Sequence, residues 1–292
     1  MKIFIIYFIF IFKLSFAISA AKALKPTSCA LPKNEKIIIG CTHECGRFNT
    51  WALEKFAKNL GYKIELINLF RNDKNLSFKS VDGIIIPGGA DIDPKYYIDK
   101  VKPEFKKYLS SILDYTNYTE IGKHRDEFEF SLLENYFKDN ESKNRPILGI
   151  CRGMQALSVS QGIPLYGDIR KELSIKNRRY TIDLVTVTKE NSLLSKVMKE
   201  KEFRAVELHH QGINLEYFTK NRDDWPHIDI TSLSNDERIV ESIEFKNRPI
   251  LGVQFHPEYT FGQVRENIFT WILTKSCLHK LMTLKNNNKD VL

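Results

Sequence analysis

The apolar positions along the chain change period several times, and each change marks a boundary between predicted elements. Lys36 to Gly40 is a short, β-branched apolar run closed by glycine, which predicts a buried strand. Trp51 to Leu60 then places apolar residues every three or four positions and ends at Gly61, as a helix would. Tyr62 to Leu69 and Val81 to Ile86 return to strand character, the second halted by Pro87-Gly88-Gly89. Strand, helix, strand in this order predicts a parallel sheet with crossover helices, an α/β architecture. Lys95 to Lys123 is rich in Tyr and Lys and predicts a partly helical excursion over the surface. Arg125 to Phe137 spaces acidic and aromatic residues like an amphipathic helix, and Pro146 to Ile150 is a fully apolar strand that leads directly into Cys151.

Beyond Gly162 the links shorten. Strands are predicted at Tyr180 to Thr188, Arg204 to Leu208, Ile228 to Leu233, Ile239 to Phe245 and Ile250 to Phe255, followed by a long helix from Gln263 to Met282. No internal repeat is visible. The simplest partition is a leader over residues 1–23, a linker over 24–35, one compact domain over 36–284 and a polar, disordered tail over 285–292.

Composition sharpens this in three ways. With 292 residues, 42% hydrophobic and 12% aromatic, the chain has enough apolar material for a large core. The net charge of +8 suggests an acidic partner, but Lys and Arg are interleaved with Asp and Glu, with no basic stripe carrying stacking aromatics, so no nucleic-acid partner is expected. The leader has the order of a secretory signal: Lys2, an apolar run from Ile3 to Phe12, then small residues ending Ala20-Ala21-Lys22-Ala23. The run is about half of the roughly 20 residues a spanning helix needs, so cleavage after Ala20, Ala21 or Ala23 is expected, with no stable membrane association afterwards and a periplasmic or secreted product. Cys29 follows Pro26-Thr27-Ser28, which lacks the apolar residue that precedes a lipid-modified cysteine.

Export would allow disulfides, but Cys29, Cys41, Cys45, Cys151 and Cys277 are odd in number, so at least one thiol stays unpaired within the chain. Cys41 and Cys45 have no second pair or His cluster at metal-site spacing, so neither a metal nor another cofactor is expected.

The residues that point to chemistry begin at Gly149-Ile150-Cys151-Arg152-Gly153, between an apolar strand and a helix. This is the Gly-x-nucleophile-x-Gly elbow with Cys as nucleophile, its glycines demanded by the tightness of the turn. A lone cysteine is ordinarily a small core residue; the strand-to-helix context makes this one a candidate nucleophile, with the helix N-terminus aimed at its sulfur. A thiolate needs a base to hand a proton to a leaving group. His256-Pro257-Glu258 follows an apolar strand, and residues two apart in extended chain share a side, so Glu258 can fix the tautomer of His256. Pro87-Gly88-Gly89-Ala90 ends another strand and offers backbone N–H groups, so Gly89 and Arg152 are candidate oxyanion donors.

Five segments together resemble the class I glutamine amidotransferase-like superfamily. They are Cys151-Arg152-Gly153-Met154-Gln155, Pro87-Gly88-Gly89-Ala90-Asp91-Ile92-Asp93-Pro94, Arg125-Asp126 with Glu129, Leu208-His209-His210-Gln211, and Gly252-Val253-Gln254-Phe255-His256-Pro257-Glu258. Within the superfamily they look most like the γ-glutamyl-γ-aminobutyrate hydrolase family. The resemblance implies a flavodoxin-like three-layer α/β fold, a Cys151-His256-Glu258 triad, a γ-glutamyl-thioester intermediate, and a small γ-glutamyl substrate held by Gln155, His210 and Gln211. Two departures, a longer stretch from Tyr97 to Arg125 and the export signal, keep the γ-aminobutyrate substrate itself from being carried over.

The leading expectation is therefore a stand-alone γ-glutamyl amide hydrolase. The alternatives are the glutaminase half of an amidotransferase, a Cys protease or chaperone of the related elbow-bearing superfamily, and a catalytically silent binding protein on the same fold. In the protease-like group a His follows the nucleophile, where this chain has Arg152.

Overall fold

The computed structural model describes residues 29–71, 77–112, 115, 119–175, 181–234 and 236–289. The leader, residues 24–28 of the linker and residues 290–292 lie outside the described residues. In chain order the elements are β1 (Ile37–Cys41), α1 (Arg47–Leu60), β2 (Ile64–Asn68), β3 (Gly83–Ile86), α2 (Lys95–Ile98), α3 (Pro103–Ser111) and α4 (Glu120–Lys138). They continue with β4 (Ile147–Ile150), α5 (Arg152–Ser160), β5 (Leu165–Tyr166), α6 (Ile169–Glu172), β6 (Thr181–Val187), α7 (Leu193–Met198) and β7 (Glu202–Glu207). The last are β8 (Gly212–Ile213), α8 (Leu215–Lys220), β9 (Ile228–Ser234), β10 (Val240–Phe245), β11 (Ile250–Val253) and α9 (Gln263–Lys289).

Nine strands form one sheet in the order β2-β1-β3-β4-β11-β10-β9-β6-β7, while β5 and β8 make a separate pair. From β2 to β11 neighbouring strands are parallel, and from β11 to β7 they are antiparallel. Hairpins can link antiparallel strands where parallel ones need a helix, which is why the spacing shortens beyond Gly162. Helices cover both faces, giving the expected flavodoxin-like three-layer α/β fold. Ile37, Ile39, Leu148 and Ile150 face a core with α1 and α9, whereas Ile84, Ile86 and Ile147 face one with α4 and α5. Strands buried on both sides read as continuous apolar runs, as these do.

Four expectations need correction. Helix α1 begins at Arg47 rather than Trp51, because Gly46 at φ 79° turns the chain into it four residues earlier. Within 95–123 the chain is no mere surface excursion, since Tyr97 and Leu109 are fully buried in the second core. The helix expected from Arg125 begins at Glu120, and its buried face carries the charged Arg125, Asp126 and Glu129 beside Leu132, Leu133 and Tyr136. Finally, α9 runs to Lys289, so residues 285–289 are helical and not a disordered tail.

Cysteine pairing accounts for the odd count. Cys29 pairs with Cys277, tying the segment before β1 to α9, and Cys41 pairs with Cys45 at the end of β1. Cys151 is left as the free thiol. Among the described residues no helix is long and apolar enough to cross a membrane.

Candidate active site

Four adjacent parallel strands, β1, β3, β4 and β11, bring their carboxyl ends to one edge of the sheet, where α/β folds bind ligands. Cys151 leaves β4 with φ 53° and ψ −108°, a left-handed backbone that costs a non-glycine residue roughly 1–3 kcal/mol and persists only where neighbours enforce it. Its N–H donates to the Val253 carbonyl at 2.7 Å, pinning the turn to β11. The flanking glycines are required by contact. A Cβ on Gly149 would lie 2.7 Å from the Gly153 carbonyl, and one on Gly153 would strike the Ile86 carbonyl oxygen.

His256 follows β11 and its N–H donates to Val206 O at 2.8 Å. Thr260 closes the turn, its hydroxyl donating to His256 O at 2.9 Å and accepting from Val206 N at 3.0 Å. The Glu258 carboxylate accepts from His256 Nδ1 at 2.8 Å, which leaves Nε2 as the other, buried nitrogen, with no hydrogen-bond partner among the described residues. The sulfur and the imidazole meet across Gly88: a Cβ there would sit 3.0 Å from His256 Cε1 and 3.7 Å from Cys151 Cβ. Burial pulls the imidazolium pKa down, yet the facing Cys151 and the Glu258 carboxylate outweigh it and hold His256 well above its ordinary value. Both are nearly buried, Cys151 at 6% and His256 at 7% exposure. A buried thiol, an imidazole facing it and a carboxylate on the other ring nitrogen have the layout that acyl transfer requires.

The glycine loop after β3 is held from behind. Arg125 donates to the carbonyls of Gly88 at 2.9 Å and Pro87 at 2.6 Å, and a side chain on Gly89 would collide with its guanidinium. Arg125 also donates to Glu129 at 2.8 Å, and Glu129 accepts from Thr42 Oγ1 at 2.5 Å. The Arg152 side chain turns inward, where it pairs with Asp126 and Glu129. Two guanidinium groups thus face two carboxylates in the interior, linking the elbow, α4, β1 and the glycine loop. Among the described residues neither Gly89 nor Arg152 gives its backbone N–H to another group, and that of Arg152 is an orphan donor in the first turn of α5.

Gln155 donates to Gln211 O at 3.0 Å and Gln254 Oε1 at 3.2 Å, so it belongs to the floor beside the thiol. Gln211 is 2% exposed, and neither side-chain amide atom has a partner among the described residues, a costly arrangement unless something polar binds there. His210 sits farther out, with Nε2 2.9 Å from Asp91 Oδ1 and Nδ1 3.7 Å from Asp168 Oδ2. Hydrogen bonding to Asp91 raises its pKa.

Sequence reasoning gave no role to Gln254, whose Nε2 donates to Cys151 Sγ at 3.6 Å. The chain from Gln254 to Glu258 runs through bends into a turn and not as an extended strand, so no alternation along it marked Gln254. The same reasoning missed the Arg125, Asp126 and Glu129 network, readable as charges three and four apart on a helix. One group among the described residues has metal-ligand chemistry: the buried Glu207, His209 and Glu241, with donor atoms within 4.8 Å of one another. His209 lies 3.0 Å from Glu207, an ordinary buried pair. A separate recess of about 410 Å³, lined by Phe105, Tyr108, Tyr166 and Tyr217, shares no lining residue with the triad.

The Peptidase C26 family model matches residues 67–258. The glutamine amidotransferase-like protein RP404 of Rickettsia prowazekii is 29% identical, the match covering 77% of this chain and 92% of the relative. YvdE of Lactococcus lactis, also named glutamine amidotransferase-like, is 27% identical over 70% and 78%. Among solved structures, the glutaminase domain of Trypanosoma brucei CTPS with bound acivicin superposes with a TM-score of 0.55 at 15% identity, covering 84% of this chain and 94% of that one. A Thermoplasma acidophilum protein described as belonging to GMP synthase gives 0.54 at 18%, covering 85% and 98%. These two likenesses speak to the fold, and the family model indicates a hydrolase-type enzyme. The chain belongs to the Peptidase C26 family, within the class I glutamine amidotransferase-like superfamily.

Proposed function

We propose that the protein is a cysteine hydrolase that cleaves γ-glutamyl amide bonds, with Cys151, His256 and Glu258 as its catalytic triad. The observation that carries this is the free Cys151 thiol on a strained elbow, facing a buried imidazole whose other nitrogen is fixed by Glu258. In the proposed cycle Cys151 sulfur attacks the γ-carbonyl carbon, and the resulting oxyanion is met by the N–H groups of Gly89 and Arg152. As the C–N bond breaks, His256 gives its proton to the leaving amine and a thioester remains. Water then attacks the thioester carbon, giving its proton to His256, and the thiolate departs as glutamate is released. Gln155, Gln211 and His210 are assigned to the glutamyl moiety; the unpaired amide of buried Gln211 supports that most directly.

The test is labelling with a glutamine-analogue electrophile. One adduct per chain at Cys151 is expected, lost in Cys151→Ala together with hydrolysis of γ-glutamyl amides. Turnover surviving in that variant would remove the assignment. The reading as the glutaminase half of an amidotransferase uses the same acyl chemistry with ammonia as the leaving group; it gains ground if glutamine is turned over only in the presence of a partner protein. Two disulfides beside a signal-like leader support an exported enzyme. Recovery of the protein with its leader intact from the cytoplasmic fraction would count against export.

A further inference from the structure

Four of the seven large apolar side chains exposed among the described residues, Phe48, Trp51, Tyr259 and Phe261, gather beside the triad loop. They fall into two groups, Tyr259 with Phe48 next to the imidazole, and Trp51 with Phe261 around Arg265. The Tyr259 ring lies 5.5 Å from that of His256, and the Phe48 ring packs edge-on 5.0 Å from Tyr259. Farther along, Arg265 bridges Trp51 at 5.1 Å and Phe261 at 5.2 Å, and Lys55 stands over the Trp51 ring at 4.7 Å. Arg265 is tied to the triad loop, donating to Thr260 O at 2.8 Å. Neither Lys55 nor Arg265 is in an ion pair among the described residues. Exposed aromatics normally scatter singly on a monomer surface; a cluster with unpaired cations is a binding surface for something flat and negative.

Direction follows from the chemistry. The proton held by His256 goes to the leaving nitrogen, so the leaving half of the substrate must pass the imidazole. The glutamyl half is held on the side of Gln155 and Gln211. We propose that Phe48, Trp51, Tyr259 and Phe261, with Lys55 and Arg265, form a leaving-group subsite for an aromatic amine bearing an anionic group. The aryl ring would stack on the aromatics and its carboxylate or sulfonate would meet the two cations. This rests on the γ-glutamyl reading for its orientation, and its test separates the two.

The protein has three tryptophans, of which Trp225 and Trp271 are buried, so Trp51 fluorescence reports on the surface. Cys151→Ala is titrated with γ-glutamyl-4-aminobenzoate, γ-glutamylanilide and γ-glutamylglycine, by calorimetry and by Trp51 quenching. Saturable quenching is expected with the first two. The aminobenzoate conjugate should bind about 10-fold more tightly than the glycine conjugate. Trp51→Ala should erase that preference, and Lys55→Ala with Arg265→Ala should bring the aminobenzoate conjugate to within about twofold of the anilide. All six side chains are at least partly exposed, so these variants should fold. Equal binding of the three ligands, or no binding, overturns the subsite. If the wild type cleaves γ-glutamylglycine but shows no aryl preference, only the subsite falls. If no amide is cleaved and Cys151 stays unlabelled while aryl-dependent quenching persists, only the catalytic reading falls.

Discussion

Neutralising Glu129 should cost the protein both stability and reactivity. Its carboxylate is fully buried and accepts from Thr42 at 2.5 Å, from Arg125 at 2.8 Å and from Arg152. Glu129→Gln keeps the shape and one acceptor but leaves two guanidinium groups facing Asp126 alone, and directs a new donor toward existing donors. Breaking a buried pair from one side costs about 3–5 kcal/mol. In a domain of this size each kcal/mol lowers Tm by about 2–4 °C, so a fall of about 6–20 °C is expected. The exposed Glu127 on the same helix, 3.9 Å from Lys95, is the control; Glu127→Gln should stay within about 0.5 kcal/mol of wild type.

The pH dependence provides a second check. Burial would raise the Glu129 pKa, but Arg152 and Arg125 outweigh it and leave it lowered. A lowered carboxylate contributes stability that is full above the ordinary value of 4.5 and is lost as pH falls through its folded pKa. The gap between wild type and Glu129→Gln should therefore be widest at neutral pH and close in acid. Thermal melts across pH, with the rate of Cys151 labelling at a temperature where both proteins are folded, read both effects. A Tm change under about 2 °C with unchanged labelling would mean that the charge holds neither the core nor the glycine loop.

Other outcomes follow from single contacts. Gly88→Ala places a methyl 3.0 Å from His256 Cε1 and should slow labelling by about 10-fold or more with little change in Tm. Glu258→Gln removes one of the influences raising the His256 pKa, so the pH at which the imidazolium is lost should move down, and kcat should fall by on the order of 10²-fold. Since a raised imidazolium stabilises the fold below its unfolded pKa of 6.5, the variant's stability deficit should be largest in mild acid and shrink as pH rises. Denatured without reductant, the chain should show one reactive thiol by Ellman titration, and five after reduction. Cys277→Ser opens a link between residues 248 apart in sequence and should cost about 2–4 kcal/mol in a denaturant melt.

What the sequence disclosed depended on how local the determining physics is. The strands that carry the site were legible because burial on both faces leaves uninterrupted apolar runs, and β4 into Cys151 is such a run. Gly149 and Gly153 marked the elbow because only glycine fits against the Gly153 and Ile86 carbonyls. The start of α1 was missed because its first turn, Arg47-Phe48-Asn49, faces solvent on two positions and has no apolar period to read. Burial within α2 and α3 was hidden by their Tyr and Lys content, because a tyrosine can be buried whole, as Tyr97 is, hydroxyl included. The inward charge network was invisible to any rule that places charges outside. A charged residue is buried when its partners are buried with it, and those partners come from β1, α4 and α5.

That network also explains how Arg152 can follow the proposed nucleophile, Cys151, without interfering with it. A mobile guanidinium beside the sulfur would compete with His256 for the thiolate and occupy the space where a carbonyl must enter. Here Asp126 and Glu129 draw the side chain into the interior, and only the backbone N–H of Arg152 remains at the mouth. Arg125 repeats the pattern on the opposite wall, holding Pro87 and Gly88 by their carbonyls so that their peptide planes present N–H groups the other way. Both halves of the proposed oxyanion site are thus oriented by one neutral cluster of two arginines and two acids. Arg152→Lys keeps the charge but cannot span two carboxylates with a fork. It should therefore slow thioester formation more than it slows substrate binding, seen as a fall in kcat of about 10-fold or more against a KM within about threefold. Equal losses in both would show that the cluster only holds the fold together.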